Sequence, residues 1–520
     1  MRYARKANGQ PASIMLKNIS VSFVSTIYAT LLSIIAVPVY LYLLGPDRYG
    51  LVGIFLLLQP IISLLDLGFG VTAMRESAVV KRNPESADHY RKLIRGLEFV
   101  FTSILMTLVV ASIALSNQFA LSWLKVAPDL QAEVILASAL MLVTLSIRWM
   151  SILYRSCVNG FEAIAWLSGF NLCIATLRFV VVIPFMMSSS QSLDYFFGFQ
   201  LAISLIEFTG FYLKARALMP KSATKDTIKQ SLYAVKSVMQ FTATISIGGL
   251  VWVGATQIDK IWLMNRLTLQ EYGQYSLAVL LASGVSVVST PINIALTPRL
   301  CSLHAAGNQQ EFLQVYRRCT QIVAILTGSI VATISFFPDM ILQLWTQLPS
   351  LPKETGYIFM LYAIGNGMLA LSVFMHYLQI SLAKLRLYVA GVLVFSIVFI
   401  MLLVLLVPTK GATGAAIAWI SVNTIYLFVW TPFVHSRLIP ELGWRWFAKD
   451  IGLIAAASVV GVYCVSLIGF PTGNWLFSFA SLALAGCVAL AASLLASSEA
   501  RGQLMIRLPI WFQKLSGDKG

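Results

Sequence analysis

The chain has 520 residues, of which 58% are hydrophobic and 11% charged, with a mean hydropathy of +0.80. Its 37 Lys and Arg outnumber its 21 Asp and Glu for a formal charge of +16. In a soluble chain that excess would point to nucleic acid, but here the basic residues are segregated among loops between long apolar runs, so membrane topology accounts for them and nucleic acid is set aside as a partner.

The apolar runs number fourteen. Each approaches the roughly 20 residues a helix needs to cross the hydrocarbon, where every backbone polar group must be satisfied within its own segment. The pattern predicts helices over 18–43, 50–75, 93–115, 133–157, 164–187, 193–213, 237–264, 273–298, 318–337, 356–382, 387–407, 411–434, 449–469 and 475–497. The first run is too long for a signal peptide and lacks a small-residue cleavage site, so it reads as the first helix.

Lys and Arg collect in the amino-terminal tail (Arg2, Arg5, Lys6, Lys17), after the second helix (Arg75, Lys81, Arg82, Arg91, Lys92, Arg95) and after the sixth (Lys214, Arg216, Lys221, Lys225, Lys229, Lys236). The alternate loops hold only Arg48, Lys125, Arg266, Lys353 and Lys410, while Arg178 and Lys260 fall inside helices. The positive-inside bias therefore places both ends in the cytoplasm. The longest connection, about 214–236, is basic and polar and is expected to carry a short surface helix. Six cysteines show no zinc or disulfide spacing and read as small packing residues. There is no phosphate-cradling Gly-rich loop with Lys, no metal-ligand pattern, only four His and no loop long enough to form a catalytic domain. The expectation is transport, with no cofactor and no enzyme activity.

The two halves repeat. LGPDRYGLVGIFLLL from Leu44 aligns with LTLQEYGQYSLAVLL from Leu267, so that Tyr49-Gly50 and Tyr272-Gly273 differ by 223 positions. Near the start of the third and ninth helices, Tyr90-Arg91-Lys92 and Tyr316-Arg317-Arg318 align within three residues of the same offset. Six helices separate the copies, an even number, which predicts a parallel repeat of two similar six-helix lobes about an axis along the membrane normal. Polar stripes occupy corresponding helices. Ser283, Ser286, Thr290, Asn293 and Thr297 step by three and four along the eighth helix, Gln59, Ser63, Asp66 and Gly70 mark the second, and Thr242, Ser246, Gly249, Thr256 and Lys260 the seventh. Such stripes either let helices pack closely or line a shared polar cavity.

Charges at helix centres need a reason. Counted at about 1.5 Å per residue, Asp66, Arg148 and Glu207 each lie roughly 10–14 Å from the cytoplasmic end, deep enough to form one buried cluster with either a structural or a transport role. Arg178 lies about 20 Å in, with no acid at matched depth, which points to a wet cavity or an anionic ligand. Asp259 and Lys260 sit near the periplasmic end, where the lysine could snorkel to water. His376 reads as a core histidine or a proton carrier.

The segments VPVYLYLLGPDRYGLVGIF from Val37, LLDLGFGVTAMRESA from Leu64, NGFEAIAWL from Asn159, QIDKIWLMNRLTLQEYGQYSLA from Gln257 and GATGAAIAW from Gly411 give the chain, over about residues 15–435, a resemblance to the polysaccharide flippases of the multidrug, oligosaccharidyl-lipid and polysaccharide exporter superfamily. The resemblance implies an all-α fold of 14 transmembrane helices: an N-lobe over 1–214, a linker at 215–236, a C-lobe over 237–435, two peripheral helices in 436–500 and a cytoplasmic tail at 501–520. It implies a V-shaped cavity that opens alternately to each side of the bacterial inner membrane. The implied cargo is an undecaprenyl-pyrophosphate-linked oligosaccharide moving to the periplasmic leaflet for O-antigen, lipopolysaccharide or exopolysaccharide assembly, with membrane lipids and a polysaccharide polymerase or chain-length complex as further partners.

On that resemblance, Arg178, Arg148 and Lys260 would attract the pyrophosphate, and Asp66, Glu207, Asp259, Gln59, Ser63, Ser286, Thr290 and Asn293 would line or couple the cavity. The first helix lacks the arginine that marks lipid II flippases, which points away from peptidoglycan precursor as cargo. A cation-coupled drug or metabolite antiporter of the same fold is the alternative, and it would use the carboxylates Asp66, Glu207 and Asp259.

Overall fold

A computed structural model describes residues 12–66, 68–118, 130–188, 192–220, 228–287, 289, 292, 296, 299–301, 303–304, 306–347, 351–382, 384, 386–468 and 475–501. Among these residues the regular elements are all helices, without strands, and ten helices are long and apolar enough to cross a membrane.

Helix α1 (Ala12–Ser63) is two helices joined at Gly45, whose φ of 78° and ψ of 165° leave the helical region. This break falls between the first two predicted helices. Pro46 follows it as the opening residue of the new helix, where a missing N–H costs nothing. The second predicted helix stops earlier than expected. A single 3-10 turn, Leu64–Asp66, and Gly68 at φ 78° interrupt it before α2 (Phe69–Arg82). The Gly70 N–H donates to both carboxylate oxygens of Asp66, at 2.9 and 3.1 Å, so Asp66 satisfies one of the open donors in the first turn of α2.

Helices α3 (Ala87–Gln118), α4 (Gln131–Gly160), α5 (Ile164–Ser188) and α6 (Leu193–Leu218) follow the predicted spans. Helix α7 (Ile228–Met264) begins nine residues before its predicted start at 237, so the surface helix expected in the linker is instead its first turns. The cause is packing: Ser231, Ala234 and Val235 are buried, and Ala234 and Val235 join the core formed by Leu93 and Leu97 of α3. Gly96 makes this approach possible, because a Cβ there would run into the Ser231 carbonyl.

Helix α8 (Leu269–Val287) opens on a reciprocal capping box. The Thr268 N–H donates to Glu271 Oε2 at 2.8 Å and the Glu271 N–H to Thr268 Oγ1 at 3.2 Å. The two copies of the repeat therefore start this helix by different devices, Gly-Pro in the first and Thr-x-x-Glu in the second. Their backbones nevertheless meet. A Cβ on Gly50 would strike the Leu269 carbonyl, one on Gly273 would lie 3.2 Å from both the Pro46 carbonyl oxygen and the Gly50 Cα, and one on Gly53 would strike Ser276 Oγ.

Beyond α8 come α9 (Gln309–Phe336), the short unpredicted α10 (Pro338–Thr346), α11 (Lys353–Ser381), α12 (Arg386–Leu438), α13 (Phe447–Ser466) and α14 (Trp475–Ala496). Helix α12 breaks at Gly411 (φ 53°, ψ −131°), the first residue of the twelfth predicted helix. Lipid offers little hydrophobic drive between helices, so close packing of small residues does the work. Ala485 and Ala489 of α14 are fully buried against Ala332 and Val462 of α9 and α13, and Ser329 meets Ser493 at 3.3 Å.

The chain divides into two compact units, Met1–Ser276 and Leu277–Gly520. The core of the first centres on Trp149 stacked over Phe101, with ring centroids 4.5 Å apart. That of the second gathers around Tyr316, Phe374 and Trp446.

Candidate functional site

Four elements of the first unit converge on one charged cluster. Arg148, Ser151 and Arg155 recur every three or four residues along α4 and so share a face. Gln59 and Ser63 come from the end of α1 and Glu207 from α6. Together these six residues line a cavity of about 150 Å³. Arg178 reaches the cluster from α5, where Leu177–Val181 forms a π turn. The wider turn leaves carbonyls to side-chain partners, as π turns at functional positions commonly do. Tyr40 donates its hydroxyl to the Arg178 and Phe179 carbonyls at 3.1 and 3.2 Å, and Gln200 Nε2 donates to the Arg178 carbonyl at 3.2 Å.

At the centre stands Glu207. Arg178 Nη2 donates to its Oε2 at 2.7 Å, with side-chain exposures of 9% and 11%. Arg148 Nε is 3.9 Å from the same oxygen, and its guanidinium lies 5.9 Å from the centre of the Phe55 ring. Two guanidiniums thus share one carboxylate, and Arg155 stands with Arg148 as the second cation of the cavity wall. Arg178 Nε and Arg148 Nη1 are both buried without a hydrogen-bond partner. A buried donor without a partner is costly, more so when charged, and the cluster holds cationic charge in excess of its one carboxylate.

This geometry corrects two sequence-based expectations. Arg178 does have an acid, Glu207, because counting depth along the helix axis neglects the reach of an arginine side chain and the local widening of the π turn. Asp66 does not join Arg148 and Glu207, since its carboxylate is spent on the start of α2. Lys260 departs from expectation too. Instead of snorkelling to water it is buried, donating to the Thr256 carbonyl at 2.6 Å and lying 3.6 Å from Asp259, which in turn accepts the Tyr275 hydroxyl at 3.0 Å. Its partners are thus separate from the Glu207 cluster. His376 packs against the Tyr388 ring at 4.1 Å. Ser283 of the predicted eighth-helix stripe donates to its own helix at Leu280, Ser286 lies near the end of α8, and Thr290, Asn293 and Thr297 lie outside the described residues. At Thr242, Ser246 and Gly249 the helical backbone alone is described.

Arg155 is a residue that the sequence analysis did not single out, although it took Arg148 from the same predicted helix. Its seven-residue spacing from Arg148 within an apolar helix was the available signal. The second unit contains a different cavity, of about 410 Å³, with an almost wholly apolar wall that includes Gly328, Val331, Gly367, Met368, Phe428 and Ala455.

Solved structures share the fold. The lipid II flippase MurJ in an inward closed conformation matches with a TM-score of 0.70 at 15% identity, covering 91% of this chain and 97% of that one. An inward-facing multidrug resistance MATE family transporter of the MOP superfamily matches at 0.61 and 14%, covering 79% and 94%. A MOP superfamily transporter from Pyrococcus furiosus matches at 0.55 and 12%, covering 83% and 96%. No curated protein sequence matches the chain. The sequence profile described as polysaccharide biosynthesis protein matches residues 15–304, more than half of the chain, which therefore belongs to the polysaccharide biosynthesis protein family and has the fold of the MOP superfamily transporters.

Proposed function

We propose that the chain is a flippase that moves an undecaprenyl-pyrophosphate-linked oligosaccharide from the cytoplasmic to the periplasmic leaflet by alternating access, in the assembly of a surface polysaccharide. The observation that carries this reading is the cavity where Arg148 and Arg155 face a space beside Glu207 with cationic donors in excess. A pyrophosphate matches that excess, because guanidinium-to-phosphate hydrogen bonds are charge-assisted and frequently bidentate. Flipping requires no covalent step, so no catalytic residue is assigned. An antiporter would want an available carboxylate, whereas Glu207 is bound by Arg178, Asp259 by Tyr275, and Asp66 caps α2.

Arg148→Ala is expected to abolish export of the surface glycan while membrane abundance stays near normal, because Arg178 still neutralises Glu207. Arg148→Lys should keep part of the export, since a point charge survives without the fork. Surface glycan and immunoblotted membrane protein are measured together. Full export by Arg148→Ala would reject the cavity as the phosphate site.

The proposed setting is a bacterial inner membrane with both ends cytoplasmic and fourteen crossings. The breaks at Gly45 and Gly411 split two of the ten apolar helices, and α7 and α8 complete the number. A reporter fused after Lys353 should read periplasm and one after Lys229 cytoplasm. The opposite result at either point would break this topology.

A further inference from the structure

The Glu207 carboxylate is held unequally by its two arginines. That inequality has a function if the cavity receives a phosphate-bearing headgroup, and the inference rests on that reading. Arg178 grips the carboxylate through a hydrogen bond, whereas Arg148 stands 3.9 Å away and makes none to it. Arg148 and Glu207 line the cavity, and Arg178 does not. Arg148 also keeps a buried Nη1 with no partner. Behind Glu207, Arg178 is fixed through its own carbonyl by Tyr40 and Gln200.

We propose that Glu207 is a built-in stand-in for the phosphate: it partly neutralises Arg148 while the cavity is empty and yields Arg148 to the phosphate when the headgroup enters. Arg178 is then a positioning residue that keeps the carboxylate on its own side and leaves Arg148 as the exchangeable cation. An internal competitor lowers affinity for the cargo by the strength of the contact that must be given up. For a carrier this is useful, because a headgroup gripped by fully free arginines would be released slowly. The carboxylate left beside the bound phosphate also repels it, which favours release.

The test uses the full chain in lipid nanodiscs and farnesyl diphosphate as probe, with inorganic pyrophosphate and farnesol alongside, read by titration calorimetry. Wild type should bind the diphosphates, and Arg148→Ala should weaken them at least about tenfold, the scale of one hydrogen bond to a charged group. Glu207→Gln should bind both diphosphates about tenfold more tightly and yet export less glycan in cells. A carboxylate with a merely structural role would not produce that gain. Unchanged or weaker diphosphate binding by folded Glu207→Gln, with Arg148→Ala still impaired, overturns the stand-in and leaves the phosphate cavity intact. Indifference to Arg148→Ala, or no diphosphate binding by wild type, overturns both. An equal gain for farnesol also overturns the stand-in. If Glu207→Gln yields no monodisperse protein, Glu207→Asp, shorter by one methylene, should tighten binding by a smaller factor. Failure of both variants to fold assigns Glu207 to a structural ion pair and rejects the proposal.

Discussion

Each unit buries a carboxylate against an arginine, and the two clusters are satisfied to opposite degrees. In the second unit Asp450 has no exposed side-chain surface, yet both its oxygens are engaged. Arg317 Nε and Nη2 donate to them at 2.7 and 3.0 Å, and Gln321 Nε2 donates at 2.6 Å. Gln321 also accepts from Ser497, so this network ties α9 to the start of α13 and to the chain just beyond α14. In the first unit Glu207 serves two guanidiniums, hydrogen-bonds with one, and leaves charged donors unmade beside a cavity. A saturated bidentate pair fixes helices in place. An unsaturated one is costly to bury, which marks the Glu207 cluster as the candidate site of the two.

That contrast is most exposed at Arg317. Arg317→Ala should cost about 1.5–3 kcal/mol of stability, the scale of hydrogen bonds to a charged group, because the buried Asp450 loses its half-exposed counter-ion and keeps only Gln321. The protein should disappear from membranes, and any loss of export should track that disappearance. Normal amounts of Arg317→Ala in an immunoblot would show that the two clusters do not differ in kind.

At Arg178 a smaller effect of a different character is expected. In Arg178→Ala, Glu207 falls to Arg148, one cation is lost and the other is occupied. Export per molecule should then drop about tenfold, on the scale of one charged hydrogen bond, with abundance little changed. A fall in abundance matching the fall in export would make this cluster structural as well. Smallest of all should be Ser63→Ala, at the neutral edge of the cavity, where a neutral hydrogen bond is worth about 1 kcal/mol and export should change by no more than about fivefold.

Most of the described helical spans were legible in the sequence, because each is a long apolar run, and two of the breaks fall on glycines that adopt positive φ, Gly45 and Gly411. Part of the cavity was legible for the same reason: Gln59, Ser63, Arg148 and Glu207 are polar residues in apolar surroundings, and the structure brings all four together. The partner of Arg178 was not, since it depends on a π turn and a side-chain path that axial depth cannot represent. Nor was the role of Asp66, which a helix stripe assigned to the cavity and a local interruption at Gly68 turned into a cap. Helix α10 escaped because nine residues are too few to register as a crossing.

The contact between α8 and the second half of α1 pairs Gly50 with Leu269, Gly273 with Pro46, and Gly53 with Ser276. Moving each partner by the repeat offset of 223 turns the first pair into the second and returns the third to itself. This is the rule of an isologous interface, in which residue i meets j and j meets i, written within a single polypeptide. The closest approach therefore falls on the one glycine pair that the repeat places at equivalent positions, Gly50 and Gly273, and a side chain added to either would press on the same contact from opposite sides.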